Sequence, residues 1–511
     1  MLSGFTKDAE DIQTWAENYY SSLFHEGDVD LRVVAREYIE TRLSQTLDWK
    51  VIKHESHPEY TLRVRKAPSA DPSDKASSNG SLKLDVVTQY SGYLSFEDKH
   101  LYFYFFESRN NPLKDPLILW LNGGPGCSSF FGLLFALGPS LFKESTSEVY
   151  YNPWSWNHRT SIIFLDQPAD TGFSYSSEHD VSTILHVSWN LYLFMVLFFN
   201  AFPQYSELDF HLAGESFAGR YISAFASTVT YLNDDPLELD DIPVNITKIP
   251  KINLKSVMIG NGYVDPYNQA PFYYYVGCLS SWGRLLPKED CLSMRRSVDS
   301  CRRLTDFCNS AWGCDCTCSS AYGLCQRYLL TPFVNKNISL YDRRLTLLSY
   351  SDIDENGNFS VFMNKHKDFF NATSAFYPCN FNVTSRFFNK GELSLSSVSY
   401  LKSLLEADLK VLIFAGDQDV ICNWYGVSAW VHAMKWDGSE AFNKLDFRTW
   451  RLSRKLGNKL KGTVAGQVKH HDGLTLLRVR DAGHAVGETQ PEYNFEMYLR
   501  WLEGDYAFEK N

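Results

Sequence analysis

The chain has 511 residues, 44% hydrophobic and 15% aromatic, enough for one large domain with insertions or two to three smaller ones around a sizeable core. A formal charge of -11, with no basic run of five or more residues, excludes nucleic acid as the expected partner. The longest apolar run, LYLFMVLFF at 191–199, reaches about half the length of a bilayer-spanning helix, so it predicts a buried helix and no membrane anchor.

Residues 1–30 contain no basic segment followed by an apolar one, so no signal peptide is visible there. The first 82 residues read as a charged, helical segment that ends in a polar linker, APSADPSDKASSNGS at 67–81. Beyond it, TQYSGYL, LYFYFFES and PLILWL carry β-branched and aromatic runs bounded by Gly, Asn and Pro, which predicts strands. SIIFLD at 161–166, DFHLAG at 209–214, KSVMIGNG at 255–262 and KVLIFAGD at 410–417 have the continuous apolar character of strands buried on both faces. Helical patterns separate several of them, so the expected fold is α/β with a mostly parallel sheet. The expected division is an N-terminal segment (1–82), a first core part (83–263), an inserted subdomain (264–400) and a second core part (401–511).

Eight of the eleven cysteines fall between Cys278 and Cys325, a density that reads as a disulfide framework. Zinc is the competing reading, but Cys314, Cys316 and Cys318 lack the paired C-x-x-C units of common structural sites. Six N-x-[ST] sequons, at Asn79, Asn245, Asn337, Asn358, Asn371 and Asn382, join the cysteines in pointing to the secretory pathway.

The phrase HLAGESFAGRY sets Ser216 after a strand and before a helix, with Gly214, Ala218 and Gly219 around it. Small residues are what a sharp strand-turn-helix elbow requires, although ordinary helix-packing glycines produce the same pattern. A serine nucleophile needs a base, and the base an orienting carboxylate. Asp419 follows the strand KVLIFAGD and His484 follows LRVRDAG, both at strand exits where α/β sheets hold catalytic groups. Singly, Asp417 or Asp419 reads equally as a turn residue and His484 as one of thirteen histidines. Jointly, the order Ser, Asp, His is that of α/β-hydrolases. The Gly123–Gly124 pair in LWLNGGPGCSS supplies a loop whose amides can approach an oxyanion, or else a plain Gly-Pro turn.

WLNGGPGCSS, FLDQPADTGFSY, GESFAGRY, IGNGYVDP, AGDQDVICNW and AGHAVGETQPE, in that order over about four fifths of the chain, resemble the serine carboxypeptidases. The resemblance implies an α/β-hydrolase core with an inserted cap, no cofactor and no metal, and removal of C-terminal residues from peptides or proteins at acid pH in a vacuolar or extracellular compartment. It implies a triad of Ser216, Asp419 and His484, an oxyanion hole from the amides of Gly124 and Phe217, and a site for the substrate's terminal carboxylate that includes Asn122, Gly123 and Glu215. A carboxyl group facing a carboxylate must share a proton with it, which ties binding to acid pH. The implied disulfides are Cys278–Cys291, Cys301–Cys325, Cys308–Cys318 and Cys127–Cys379. Cys314 and Cys316 then either pair with each other or reshuffle the cap. Cys422 matches an unpaired thiol near the active site; an inert buried cysteine is the alternative. The first 82 residues match a removable propeptide or, alternatively, a permanent domain.

The chain departs from the family at Ala136, where the resemblance expects the second glutamate of the carboxylate-binding pair. Phe131, Phe217, Arg220, Ala485 and Gly487 also differ, and are expected to line an altered leaving-group pocket. An acyltransferase or esterase, or a non-catalytic binding protein of the same fold, are the alternative functions.

Overall fold

The computed structural model describes residues 82–237, 249–347 and 357–509, and the backbone of 63–67. The helical segment expected before residue 63, and the sequons at Asn79 and Asn245, lie outside the described residues.

Fourteen strands are described. They are β1 (Arg63–Ala67), β2 (Gln89–Phe96), β3 (Lys99–Phe106), β4 (Leu117–Leu121), β5 (Ser140–Lys143), β6 (Glu148–Tyr151), β7 (Ser161–Leu165), β8 (Tyr175–Ser176), β9 (Phe210–Glu215), β10 (Leu254–Gly260), β11 (Lys410–Gly416), β12 (Arg448–Arg451), β13 (Val464–His471) and β14 (Leu474–Val479). One twelve-stranded sheet runs in the order β1-β2-β3-β7-β4-β9-β10-β11-β14-β13-β12, with β8 beside β3; β5 and β6 form a separate hairpin. Its centre, β7-β4-β9-β10-β11-β14, is parallel throughout. Antiparallel strands extend it on both sides.

β4, β7 and β9 are buried at every position, which is why they read as unbroken apolar runs and not as alternating ones. One face packs against helices α1 (Ile184–Ala201) and α2 (Ala218–Asp234), the other against segments that include the turn Gly132–Ala136. The apolar run at 191–199 is part of α1, an 18-residue helix long and apolar enough to cross a membrane but 67% buried. Its length exceeds the sequence expectation because its first two turns, capped by the Thr183 hydroxyl, carry His186 and Ser188, which break the apolar run but not the helix.

Between the adjacent strands β10 and β11 the chain leaves the sheet for an excursion that holds α3 (Lys288–Cys308) and α4 (Asp315–Cys325) and returns through α5 (Val398–Glu406). This cap is bonded internally by Cys278–Cys291, Cys301–Cys325, Cys308–Cys318 and Cys314–Cys316, and to the core by Cys127–Cys379. Cys314 and Cys316 pair with each other, which removes them as thiolate ligands for zinc.

The chain before residue 82 is not wholly separate from the core. β1 pairs antiparallel with β2, in the register Arg63↔Tyr93 to Ala67↔Gln89, and so forms the edge of the sheet. The phrase RVRKA has a β-branched centre, but an edge strand of five residues beside a polar linker carries little apolar signal of its own.

Candidate active site

All the chemistry-bearing residues lie where parallel strands end at their C-terminal edge, the place where side chains from neighbouring strands converge without breaking the ladder. β9 ends at Glu215, and Ser216 follows with φ +63° before α2 begins. A non-glycine residue at positive φ is strained and needs support. Here the Ser216 N–H donates to the Gly260 carbonyl at 3.0 Å, and the Ser216 carbonyl accepts from Gly219 at 3.0 Å and Tyr263 at 2.9 Å. Gly214 lets β9 pass close to β4: a Cβ there would sit 2.2 Å from the Leu121 carbonyl oxygen.

β11 ends at Gly416, and its exit loop carries two buried aspartates with different partners. Asp417 faces Arg478 at 3.2 Å and accepts from the Asp481 amide; burial outweighs these contacts and pushes its carboxyl up to about 6. Asp419 faces His484, whose Nδ1 lies 2.7 Å from Asp419 Oδ2. The same carboxylate accepts from Asn261 Nδ2 at 2.7 Å and from the amides of Ile421 at 3.0 Å and Cys422 at 3.2 Å. Burial disfavours a charged His484, but Asp419, by charge and hydrogen bond, overrides it and the imidazole is raised above its usual value. With Nδ1 directed at Asp419, Nε2 is the nitrogen left for a serine hydroxyl. Asn261 follows β10 directly; its contact with Asp419 is not expected from the phrase IGNG, and its place at a strand exit was the available signal.

β4 ends at Leu121, and Asn122 is held there with its amide in one orientation. Its Oδ1 accepts from the Trp120 indole at 2.7 Å and the Gly132 amide at 3.0 Å, so Nδ2 turns to Glu215 Oε1 at 2.8 Å. Burial raises the Glu215 carboxyl above its ordinary value, against the lowering influence of His484 and Asn122. The Gly123–Gly124 loop then crosses the start of α2 in direct contact with it. A Cβ on Gly123 would stand 2.4 Å from the Phe217 amide nitrogen, so only glycine brings this loop to the elbow.

These groups border a cavity of about 600 Å³ whose lining includes Asn122, Gly123, Gly124, Glu215, Ser216 and His484. Phe131, Phe135, Ala136, Tyr341, Ala485 and Glu488 line it too, and the cap contributes Pro378 and Phe381. Tyr341 and Glu488 are cavity residues that sequence reasoning did not single out; Glu488 stands inside the quoted phrase AGHAVGETQPE, four residues after His484. Cys422 is buried and its thiol is pushed well above the ordinary range, chiefly by burial, so it is a neutral group beside Asp419 and not a thiolate. Although Asp419, Cys422 and His484 approach one another closely enough to hold an ion, the first is committed to four hydrogen bonds and the second to its proton, a poor donor set for a metal.

Three of the departures expected at the pocket lie outside its lining. Phe217 is buried against Tyr221, Tyr263 and Phe387. Arg220 is buried under the cap, with its guanidinium 3.1 Å from Glu392 Oε2 and 3.0 Å from the Ser397 hydroxyl. Gly487 packs against Ala136. Phe131 and Ala485 do line the cavity.

The fold and site are those of an α/β-hydrolase with an inserted cap. The chain belongs to the serine carboxypeptidase family, whose model matches residues 81–504. It is 38% identical over 462 residues to carboxypeptidase Y of Candida albicans, covering 88% of this chain and 78% of that protein. It is equally 38% identical, over 460 residues, to a vacuolar serine-type carboxypeptidase of Saccharomyces cerevisiae, covering 88% and 84%. Among solved structures, a prohormone-processing carboxypeptidase of Saccharomyces cerevisiae matches with a TM-score of 0.69 at 23% identity, over 82% of this chain and 92% of that one, a likeness of fold.

Proposed function

We propose that the protein is a serine carboxypeptidase that removes C-terminal residues from peptides or proteins through an acyl-enzyme. Ser216 is the nucleophile, His484 its base, and Asp419 the group that orients the base and stabilises its charge. The observation that carries this reading is the 2.7 Å contact of His484 with Asp419 at a cavity that also holds Ser216 and the buried Asn122–Glu215 pair.

Ser216 Oγ attacks the carbonyl carbon of the last peptide bond while its proton passes to Nε2 of His484. The carbonyl electron pair becomes an oxyanion received by the amides of Gly124 and Phe217, a role supported by the close approach of Gly123 to the Phe217 amide. Collapse breaks the C–N bond, the proton on Nε2 goes to the departing amine, and water repeats the cycle on the ester. Asn122 and a protonated Glu215 hold the free carboxylate of the departing residue.

Two titrations then oppose each other. The base works above the raised pKa of His484, whereas carboxylate recognition works below the raised pKa of Glu215, so the rate peaks between them and the peptide optimum lies on the acid side of the ester optimum. Cys422 stands behind this site, its amide donating to Asp419, and is not among the residues that line the cavity.

Disulfides in the cap and exposed sequons at Asn337, Asn358 and Asn382 support passage through the secretory pathway to a vacuole-like lumen or the exterior. Asn371 is a poorer acceptor, being half-buried with its Nδ2 donating to the Ser91 carbonyl. Residues 1–82 would be a removable segment attached through β1, residues 83–263 and 401–511 the catalytic core, and 264–400 the cap.

Labelling by a fluorophosphonate, combined with hydrolysis of a blocked dipeptide and its ester, tests the reading. The expected result is labelling that Ser216→Ala abolishes and turnover of both substrates. Labelling with turnover of the ester alone would favour acyl transfer to another acceptor, and absence of labelling would point to a binding protein.

A further inference from the structure

Glu488 follows His484 by four residues on the one-turn helix Val486–Thr489. This helix presses on the turn Gly132–Ala136 through the smallest side chains available: a Cβ on Gly487 would stand 2.9 Å from the Ala136 carbonyl oxygen and 3.0 Å from the Ala136 Cβ. Glu488 is thereby brought to the wall of the cavity that Ala136 also lines, together with Glu215 and Asn122. Its side chain is accessible, with protein crowded around the space it opens into. Among the described residues its carboxyl makes no hydrogen bond or ion pair. The charged groups that face it are Glu215 at the end of β9, Glu144 of the β5–β6 turn, Asp342 of the cap and His484. Asp342 is itself paired with Arg344, and His484 acts against the acids by lowering the Glu488 pKa. Crowding by protein, followed by repulsion from Glu215 and the other acids, pushes that carboxyl up to about 7.

We propose that Glu488 is a specificity-determining residue, whose protonated carboxyl acts with Glu215 and Asn122 to hydrogen-bond the free carboxylate of the substrate's C-terminal residue. This rests on the carboxypeptidase reading and supplies from the helix after His484 the second acid that position 136 lacks. Two neighbouring carboxyls cannot both ionise cheaply, and an incoming carboxylate adds a third negative charge, so protons are drawn into the cluster as substrate binds. Each neutral carboxyl then offers one O–H donor to the substrate.

The test is the ratio of kcat/KM for a blocked dipeptide over its C-terminal amide, from roughly pH 4 to 8, spanning the carboxyl and imidazole range, in the full chain and in Glu488→Gln and Glu488→Leu, each normalised to the fraction labelled by fluorophosphonate. The wild-type ratio is expected to be high in acid and to fall as pH rises through about 7, where Glu488 loses its proton. Glu488→Gln, a neutral donor at every pH, should keep the ratio in acid and lose the fall at about 7, leaving the limb that Glu215 sets. Glu488→Leu should lower it about ten- to a hundred-fold. A selective wild type whose ratio and pH profile survive Glu488→Leu overturns the proposal alone. So does a loss confined to substrates that end in Lys or Arg, because Glu488 would then read a cationic side chain. A wild type that is labelled and cleaves esters but never prefers the free acid overturns the carboxypeptidase reading itself.

Discussion

Asp419 accepts four hydrogen bonds, from His484, Asn261, Ile421 and Cys422, so its carboxylate has no freedom to rotate away from the imidazole. Asp419→Asn replaces an acceptor with a donor at Nδ1 or forces the amide to flip against Asn261. The expected result is a fall in kcat of about 10⁴-fold with KM little changed, measured by steady-state hydrolysis of a blocked ester. The positions of Ser216, Asp419 and His484 at strand exits were legible because each follows a recognisable strand. The distinction between Asp417 and Asp419 is physical only in three dimensions: Arg478, which claims Asp417, comes from β14, and its salt bridge leaves no mark in the phrase AGDQDV. Glu488 was illegible for a similar reason, since its meaning depends on Ala136 and Glu215, both hundreds of residues earlier in the chain. The pH dependence of ester turnover also belongs at this scale. As the proposed base, His484 must be neutral to accept the Ser216 proton, and Asp419 raises its pKa, so kcat/KM for an uncharged ester should fall as pH drops through that raised value. Asp419→Asn, by removing the charge, should move this limb to lower pH.

Among the elements, the loop after β4 and the elbow after β9 are coupled through an absent side chain. Gly123→Ala would drive a methyl group to within 2.4 Å of the Phe217 nitrogen and force the loop off the elbow. We expect folding to persist and kcat to fall about 10²- to 10³-fold, the size of losing one oxyanion donor, while fluorophosphonate labelling slows in step. The parallel strands were readable because strands covered on both faces need no polar alternation. The direction of Arg220 was not. On a regular helix, residues four apart share a face, but Ser216 stands before α2 in a left-handed conformation, so the spacing from Ser216 to Arg220 carries no information about facing. Arg220 instead joins α2 to the cap through Glu392. Because both groups are buried, Glu392→Gln leaves an uncompensated guanidinium and should destabilise the fold by about 3–5 kcal/mol, measured by denaturant unfolding.

For the whole molecule, the cap closes over the strand ends where Ser216, Asp419 and His484 meet, and Cys127–Cys379 fastens it beside the Gly123–Gly124 loop across 252 residues of chain. Replacing both cysteines with serine should cost roughly 2–5 kcal/mol of stability and make activity more sensitive to denaturant than the global fold, read by comparing ester turnover with circular dichroism. The insertion was legible from its cysteine and sequon density, whereas the attachment of β1 to the sheet edge was not, because that contact is backbone pairing and asks little of side chains. The proposed activity is cleavage from the C-terminus by Ser216. Time-resolved mass spectrometry of an unblocked peptide incubated with the protein at mildly acid pH tests this most directly. The expected result is a ladder of products shortened one residue at a time from the C-terminus, absent with Ser216→Ala; internal cleavage, or a ladder that persists in Ser216→Ala, would show that Ser216 does not act as a C-terminal exopeptidase nucleophile.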